Sequence, residues 1–180
     1  PNQIYDRIPG DGAKERDLKQ PILFDSWLDS LGTDQPFFTF FLLDAPHEPY
    51  SYPEEFVKFE PSVNDINYLS LDKHVDIEPF YNHYKNAVNY SDHVVGEFLD
   101  VVKKRDLLKN SIIIITSDHG AEFYEHGFWG HNSAFTKEQV MAPFILYLPG
   151  KGAKKIDAIT SHLDIAPTLL ELMGSSTNHD

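Results

Sequence analysis

The chain of 180 residues contains no cysteine. Disulfides, thiolate nucleophiles and thiolate metal ligands are therefore excluded, and any metal here is held by nitrogen and oxygen. Positive charge is scarce as well: 15 Lys and Arg stand against 28 Asp and Glu, a formal net charge of −13. A surface this acidic repels phosphate backbones, which rules out nucleic-acid binding through a broad basic face. It does not rule out a small anionic ligand, because a metal or a few His and Lys reverse the sign locally. Long apolar runs are missing too. The densest, Phe37 to Leu43, is the length of one strand and far short of the roughly 18–20 residues of a membrane span. There is no nucleophile elbow, no phosphate-cradling glycine loop and no dinucleotide fingerprint.

What is present is enough for a core: 41% of residues are hydrophobic and 13% aromatic, so disorder is not the expected state. Apolar residues at three- to five-residue spacing from about Lys14 to Leu31 predict a helix ending at Gly32, with Pro21 as a kink or a late start. FFTFFLL at 37–43 predicts a buried strand. Residues 44–80, with five prolines, predict a long loop that is functional or carries short helices of its own. A long helix follows from Pro79 to about Leu107. Its apolar stripe holds Tyr84, Ala87, Val88, Val95, Phe98, Leu99 and Val102, with Asn86, Tyr90, His93 and Glu97 opposite and His83 and His93 solvated. SIIIIT at 111–116 predicts a central strand and FILYL at 144–148 another buried one. Asp157–Thr160 is a candidate edge strand, and Asp164 a candidate cap for a helix through Met173. This order predicts an α/β fold with a mainly parallel sheet flanked by helices. Residues 1–34 form an irregular lead-in plus helix, 35–174 the main domain and 175–180 a tail.

Ligands in such sheets bind at the carboxyl ends of strands. Two segments follow strands here. After IIIIT comes Ser117-Asp118-His119-Gly120, where a carboxylate and an imidazole can reach one divalent cation. Nitrogen plus carboxylate suits zinc or manganese, and magnesium or calcium if more oxygens join. An isolated Asp-His pair is more often a turn cap beside a surface histidine. This one is followed by Glu122, Glu125, His126 and His131 within thirteen residues. His131 can hydrogen-bond a phosphoryl or sulfuryl oxygen or a leaving group, or simply cap a turn. After FFTFFLL comes Asp44-Ala45-Pro46-His47-Glu48-Pro49-Tyr50, whose prolines hold His47 extended at the same rim. His47 is otherwise an exposed loop residue. Asp164 is a cap before it is a ligand. Lys151, Lys154 and Lys155 make a solvated loop.

Four segments in order resemble the sulfatase branch of the alkaline phosphatase superfamily. They are LDAPHEPY at 43–50, the stretch from Tyr84 to the Asp-His-Gly at 118–120, MAPFILYLPG at 141–150 and SHLDIAPTLLELMG at 161–174. GFWGHNSAFTKEQV at 127–140 is similar to membrane-anchored, sulfatase-like proteins of Gram-negative bacteria, relatives of phosphoethanolamine and phosphoglycerol transferases. The resemblance implies the C-terminal part of an alkaline-phosphatase-like domain, a divalent metal (Mn, Zn, Mg or Ca) and cleavage or transfer of a sulfate or phosphate ester, lipid head groups included. It implies that Asp118 and His119 are metal ligands and that His131 and His47 bind the anionic group. His rather than Lys at 131 tilts the expectation toward phosphorus chemistry. The family's nucleophile and first acidic ligands match nothing here. The resemblance therefore places them upstream of Pro1, with membrane helices before them and the domain on the periplasmic face of the inner membrane. This chain alone is then expected to be inert. The alternative is a non-catalytic, membrane-anchored regulator or a binding module for lipid or protein.

Overall fold

The computed structural model describes residues 8–32, 35–67, 71–72 and 74–174. The expected tail, 175–180, lies outside them. The chain divides into two compact units, Pro1–Pro149 and Gly150–Asp180. The first holds α1 (Ala13–Ser30), α2 (Glu78–Lys104), β1 (Ile113–Thr116), β2 (Glu122–Phe123), β3 (Trp129–Gly130), α3 (Lys137–Val140) and β4 (Phe144–Tyr147). The second holds a single 3-10 turn, His162–Asp164, running into α4 (Ile165–Leu172).

Helix α1 runs through Pro21 without breaking and buries Asp17, Gln20, Pro21, Phe24 and Leu28, spaced as one helical face. That face meets α2. The Phe24 ring lies 6.1 Å from Phe98 and 5.1 Å from Phe41. The hydroxyl of fully buried Tyr90 donates to the Lys14 carbonyl at 2.5 Å, and burial pushes its phenol up to about 12. At the far end Arg105 spans Asp25 and Asp29. Pro79 opens α2 and Lys103 and Lys104 close it, as the helix dipole favours.

The face of α2 that carries polar residues is buried, which corrects the expectation of a solvated side. Asn82, His83, Asn86 and Tyr90 are all covered, whereas Val88 is exposed and His93 stays at the surface as expected. The reason is the 49–62 loop, which lies across this face and brings its backbone polar groups with it. Asn86 accepts from the amides of Lys58 and Phe59 at 2.9 Å each and donates to the Phe59 carbonyl at 3.0 Å. His83 touches the Pro49 carbonyl with Nε2 at 3.1 Å and the Tyr52 hydroxyl with Nδ1 at 2.6 Å. The carbonyl can only accept, so Nε2 carries the proton and Nδ1 receives the phenol's. Burial lowers the pKa of this imidazole, which keeps it neutral.

The α/β class stands, but the ladders described here run antiparallel rather than parallel. β1 pairs with β4, Ile113 opposite Tyr147 through Thr116 opposite Phe144, and β2 pairs with β3. The chain between β1 and β4 forms a hairpin and the short α3 instead of a full crossover helix, so it returns in the opposite direction. Residues 35–43 are extended but join no ladder among the described residues. Phe37 packs edge-on against Trp27 at 5.5 Å, while Phe38, Phe40 and Leu42 are 79%, 78% and 65% exposed. The segment thus alternates as a strand does, without being buried. Phe144 and Ile145 are exposed likewise, and Asp157–Thr160 forms no strand. Asp164 stands at the N-cap of α4 as expected, but its side chain bonds back to Ser161 in a capping box instead of to the amides of α4.

Asp17 anchors the turn that leads toward His47. Its buried carboxylate accepts from the amides of Asp44 and Ala45 at 2.9 and 2.7 Å. Asp17→Ala leaves both donors unmet and should cost about 2–4 kcal/mol of stability, read from the urea midpoint, with Asp17→Asn intermediate.

Candidate functional site

Three histidines meet where the loops after 43 and after β1 converge. The rings of His119 and His131 stack at 4.2 Å with 25° between planes, and His47 stands edge-on to His131 at 5.5 Å. Three of the four residues singled out in the sequence thus converge, and the fourth, Asp118, directs Oδ2 at His119 Nε2 across 3.6 Å.

The Asp118-His119 pair is shaped by its own backbone. The His119 amide donates to Asp118 Oδ1 at 3.0 Å, and His119 Nδ1 lies 2.8 Å from the Gly120 carbonyl. In the neutral ring the proton therefore sits on Nδ1, and the Nε2 lone pair faces a carboxylate oxygen. Two lone pairs opposed in this way are relieved by a cation or a proton between them. Two ligands of one tetrahedral cation lie about 3.4 Å apart by bond-length geometry, so the donor set fits half a metal site. Among the described residues no group of three or more His, Asp or Glu is gathered to complete it.

The remaining acidic residues of the stretch do other work. Glu122 is fully buried and its carboxylate is surrounded by donors. These are Thr136 Oγ1 at 2.7 Å, Gln139 Nε2 at 3.0 Å, and the amides of His126 and Phe128 at 2.8 and 3.2 Å. Burial would raise its pKa, but the four hydrogen bonds outweigh that and hold it at about 2. Glu125 accepts from the Phe123 amide, and His126 pairs with Glu138 at 2.9 Å. None of these three points at the histidine cluster. Gln139 in turn holds the amides of Ser133 and Ala134 at 3.2 Å each. The loop carrying His131 is thereby closed on a buried Glu122–Gln139 pair. Gly120 allows α3 to pack against it: a Cβ there would stand 2.1 Å from the Glu138 carbonyl oxygen.

His131 itself has its pKa lowered, first by burial and then by the neighbouring His119 and His47, with Glu48 and Asp118 opposing. It is neutral at neutral pH and offers one N–H. The residue after it, Asn132, takes a positive φ of 70°, which Asn tolerates better than most residues. His47 is turned by Nδ1 lying 2.9 Å from the Glu48 carbonyl.

Sequence reasoning missed Glu48 and Asp17, grouped Glu122 with the candidate site without seeing that it is a buried structural hub, and read His83 as solvated where it is buried. Pro-His-Glu-Pro at 46–49 was legible as a rigid segment, but no periodicity marks a carboxylate that folds back on its own loop.

A sulfatase family model matches residues 13–175. The chain is 28% identical over 142 residues to the low-salt glycan biosynthesis sulfotransferase Agl7 of Haloferax volcanii, covering 75% of this chain and 33% of the relative. It is 31% identical over 169 residues to a sulfatase of Formosa agariphila, covering 78% and 33%. A solved structure from work on glycosaminoglycan metabolism by Bacteroides thetaiotaomicron superposes with a TM-score of 0.68 at 26% identity, over 90% of this chain and 35% of that one. The chain spans about a third of the length of these proteins.

Two outcomes follow. Gly120→Ala should unseat α3 and lower the thermal midpoint strongly, whereas Gly127→Ala, where nothing lies near the added carbon, should be far milder despite its positive φ of 91°. Glu122, whose native pKa lies below its ordinary one, contributes stability that is present above about pH 4.5 and fades as pH falls toward about 2. Chemical denaturation of wild type and Glu122→Gln across that window should therefore differ most at pH 7 and converge at pH 2–3.

Proposed function

The chain belongs to the sulfatase family, and from that premise we propose that it supplies one wall of the active site of a sulfate-ester hydrolase. The observation that carries this reading is the convergence of His47, His119 and His131 beside Asp118, on two loops that are built independently and tied down separately. Relatives that are sulfatases favour sulfate over the phosphorus chemistry that His131 first hinted at.

Sulfatases in general depend on a divalent metal. Asp118 and His119 would hold it through Oδ2 and Nε2, with further ligands from outside residues 1–180. When bound, such an ion supplies Lewis acidity that activates a nucleophile and stabilises charge at sulfur. His131, neutral and stacked on His119, donates its N–H to a sulfuryl oxygen. His47, held by its contact with the Glu48 carbonyl, stands beside it to orient the same group or to give a proton to the departing alcohol. The attacking hydroxyl comes from another part of the protein. It forms a bond to sulfur as the sulfur–oxygen bond to the alcohol breaks, and the alcohol leaves with a proton.

On this reading the 180-residue chain is inert alone, and the intact protein is anchored with this domain on the periplasmic face of the membrane. In the intact protein, Asp118→Asn should lower kcat on a sulfate ester at least a hundredfold, with His131→Ala close behind. The isolated chain should show no turnover. Activity retained by Asp118→Asn would remove it from the site. An intact wild-type protein that binds sulfate esters without cleaving them would turn the reading into that of a binding module. Fractionation of source cells, with an antibody to this segment, checks the membrane placement.

A further inference from the structure

Glu48 is a carboxylate standing at a site for anions. Tyr50, whose ring is buried among His83, Tyr84 and Phe123, donates its hydroxyl to Glu48 Oε1 at 3.2 Å and so fixes the side chain. The carboxylate rests against Gly130, the residue before His131: a Cβ on Gly130 would stand 3.3 Å from Oε1, and Gly130 itself has a φ of +78°. The absence of a side chain at 130 is what lets the carboxylate approach the strand that delivers His131. Glu48 also directly follows His47 in the chain. It is therefore tied to both segments that carry the imidazoles assigned above to the ester. Among the described residues, Oε2 receives no hydrogen bond.

A carboxylate cannot take a sulfuryl oxygen, because both are acceptors and both are negative. It can take a donor. The sulfate ester has no donor on its sulfur side, so one can come only from the alcohol. We infer that Glu48 selects the alcohol part of the substrate, accepting a hydrogen bond from a hydroxyl or ammonium group carried close to the ester oxygen, while His131 and His47 face the sulfuryl group. The inference rests on the sulfate-ester reading of the site. It adds a substrate class: esters of polyols or amino alcohols over esters of simple hydrocarbon alcohols. A site built to meet such a donor discriminates strongly against an analogue lacking it, since the carboxylate is then left desolvated and unpaired.

The test compares the intact protein with its Glu48→Ala and Glu48→Gln variants on glucose 6-sulfate, 2-aminoethyl sulfate and phenyl sulfate. It reads kcat/KM for esters that are turned over and Kd by calorimetry for those that are not. Wild type should prefer the two donor-bearing esters. In Glu48→Ala the preference for glucose 6-sulfate and 2-aminoethyl sulfate over phenyl sulfate should fall at least about tenfold. Glu48→Gln preserves the shape and an oxygen for Tyr50, so it guards against misfolding. It should keep more of the hydroxyl preference than of the ammonium preference, because the amide nitrogen at the free position can donate to a hydroxyl oxygen but has nothing to offer an ammonium group. A loss that is equal for all three esters, or absent for all three, overturns the inference and leaves Glu48 as a support for the imidazoles. A wild type that binds the esters selectively but cleaves none removes the hydrolase reading and leaves the inference standing. A wild type that binds none of them overturns both.

Discussion

A carboxylate sealed from water must be met by donors on every side, and the burial of Glu122 imposes that condition on the whole segment after β1. The donors come from Thr136, Gln139 and the amides of His126 and Phe128, so a stretch that has little regular structure of its own is drawn around one point. Three consequences follow from this closure. The β2–β3 hairpin forms and delivers His131 at its end. α3 is carried to Gly120 and packs where no side chain stands. Gly120 in turn donates to the Gln139 carbonyl at 2.9 Å, which ties the Asp118-His119 turn to the same framework. The 4.2 Å stacking of His119 on His131 is thus set by this framework, which the His119 ring meets through Nδ1 at the Gly120 carbonyl.

The loop bearing His47 is built on the same logic by different residues. At its root, Asp17 of α1 holds the amides of Asp44 and Ala45. Farther along, His83 of α2 holds the Pro49 carbonyl, and Tyr50 turns back onto Glu48. Two helices that contribute nothing to the chemistry therefore locate the loop through buried polar groups. Apolar packing would hold this loop in place without fixing which way its carbonyls point. Directional bonds from Asp17 and His83 fix both.

This division explains what the sequence made legible. Hydrophobic spacing located α1, α2, β1 and β4 within a few residues, because those elements bury apolar stripes or pair β-branched runs. Motif chemistry singled out Asp118, His119, His131 and His47, which lie together in the structure. The polar hubs escaped both kinds of reading. On α2, His83 and Asn86 look solvated to any count of apolar positions, and they are buried because a distant loop supplies their partners. Phe38, Phe40 and Leu42 fail in the opposite sense. Their composition reads as core, yet burial needs a covering layer, and none lies over them among the described residues.

The electrostatics of the site constrain what can bind there. With its pKa lowered, His131 brings a donor and no charge, while Asp118 and Glu48 both bring negative charge. An anionic ester placed against this wall alone would meet more repulsion than attraction. The arrangement becomes favourable only when positive charge is added between Asp118 and His119, where two lone pairs already face each other across 3.6 Å. It also requires Glu48 to be turned to something other than the anion. The imidazoles lie between these two demands. They separate the carboxylates, and His131 offers a sulfuryl oxygen a neutral donor. On the proposed reading they would also leave one carboxylate to a cation and the other to the alcohol. On that reading, a wall so divided would bind a whole ester better than free sulfate, because only the ester presents a donor to Glu48. That difference would favour release of the inorganic product.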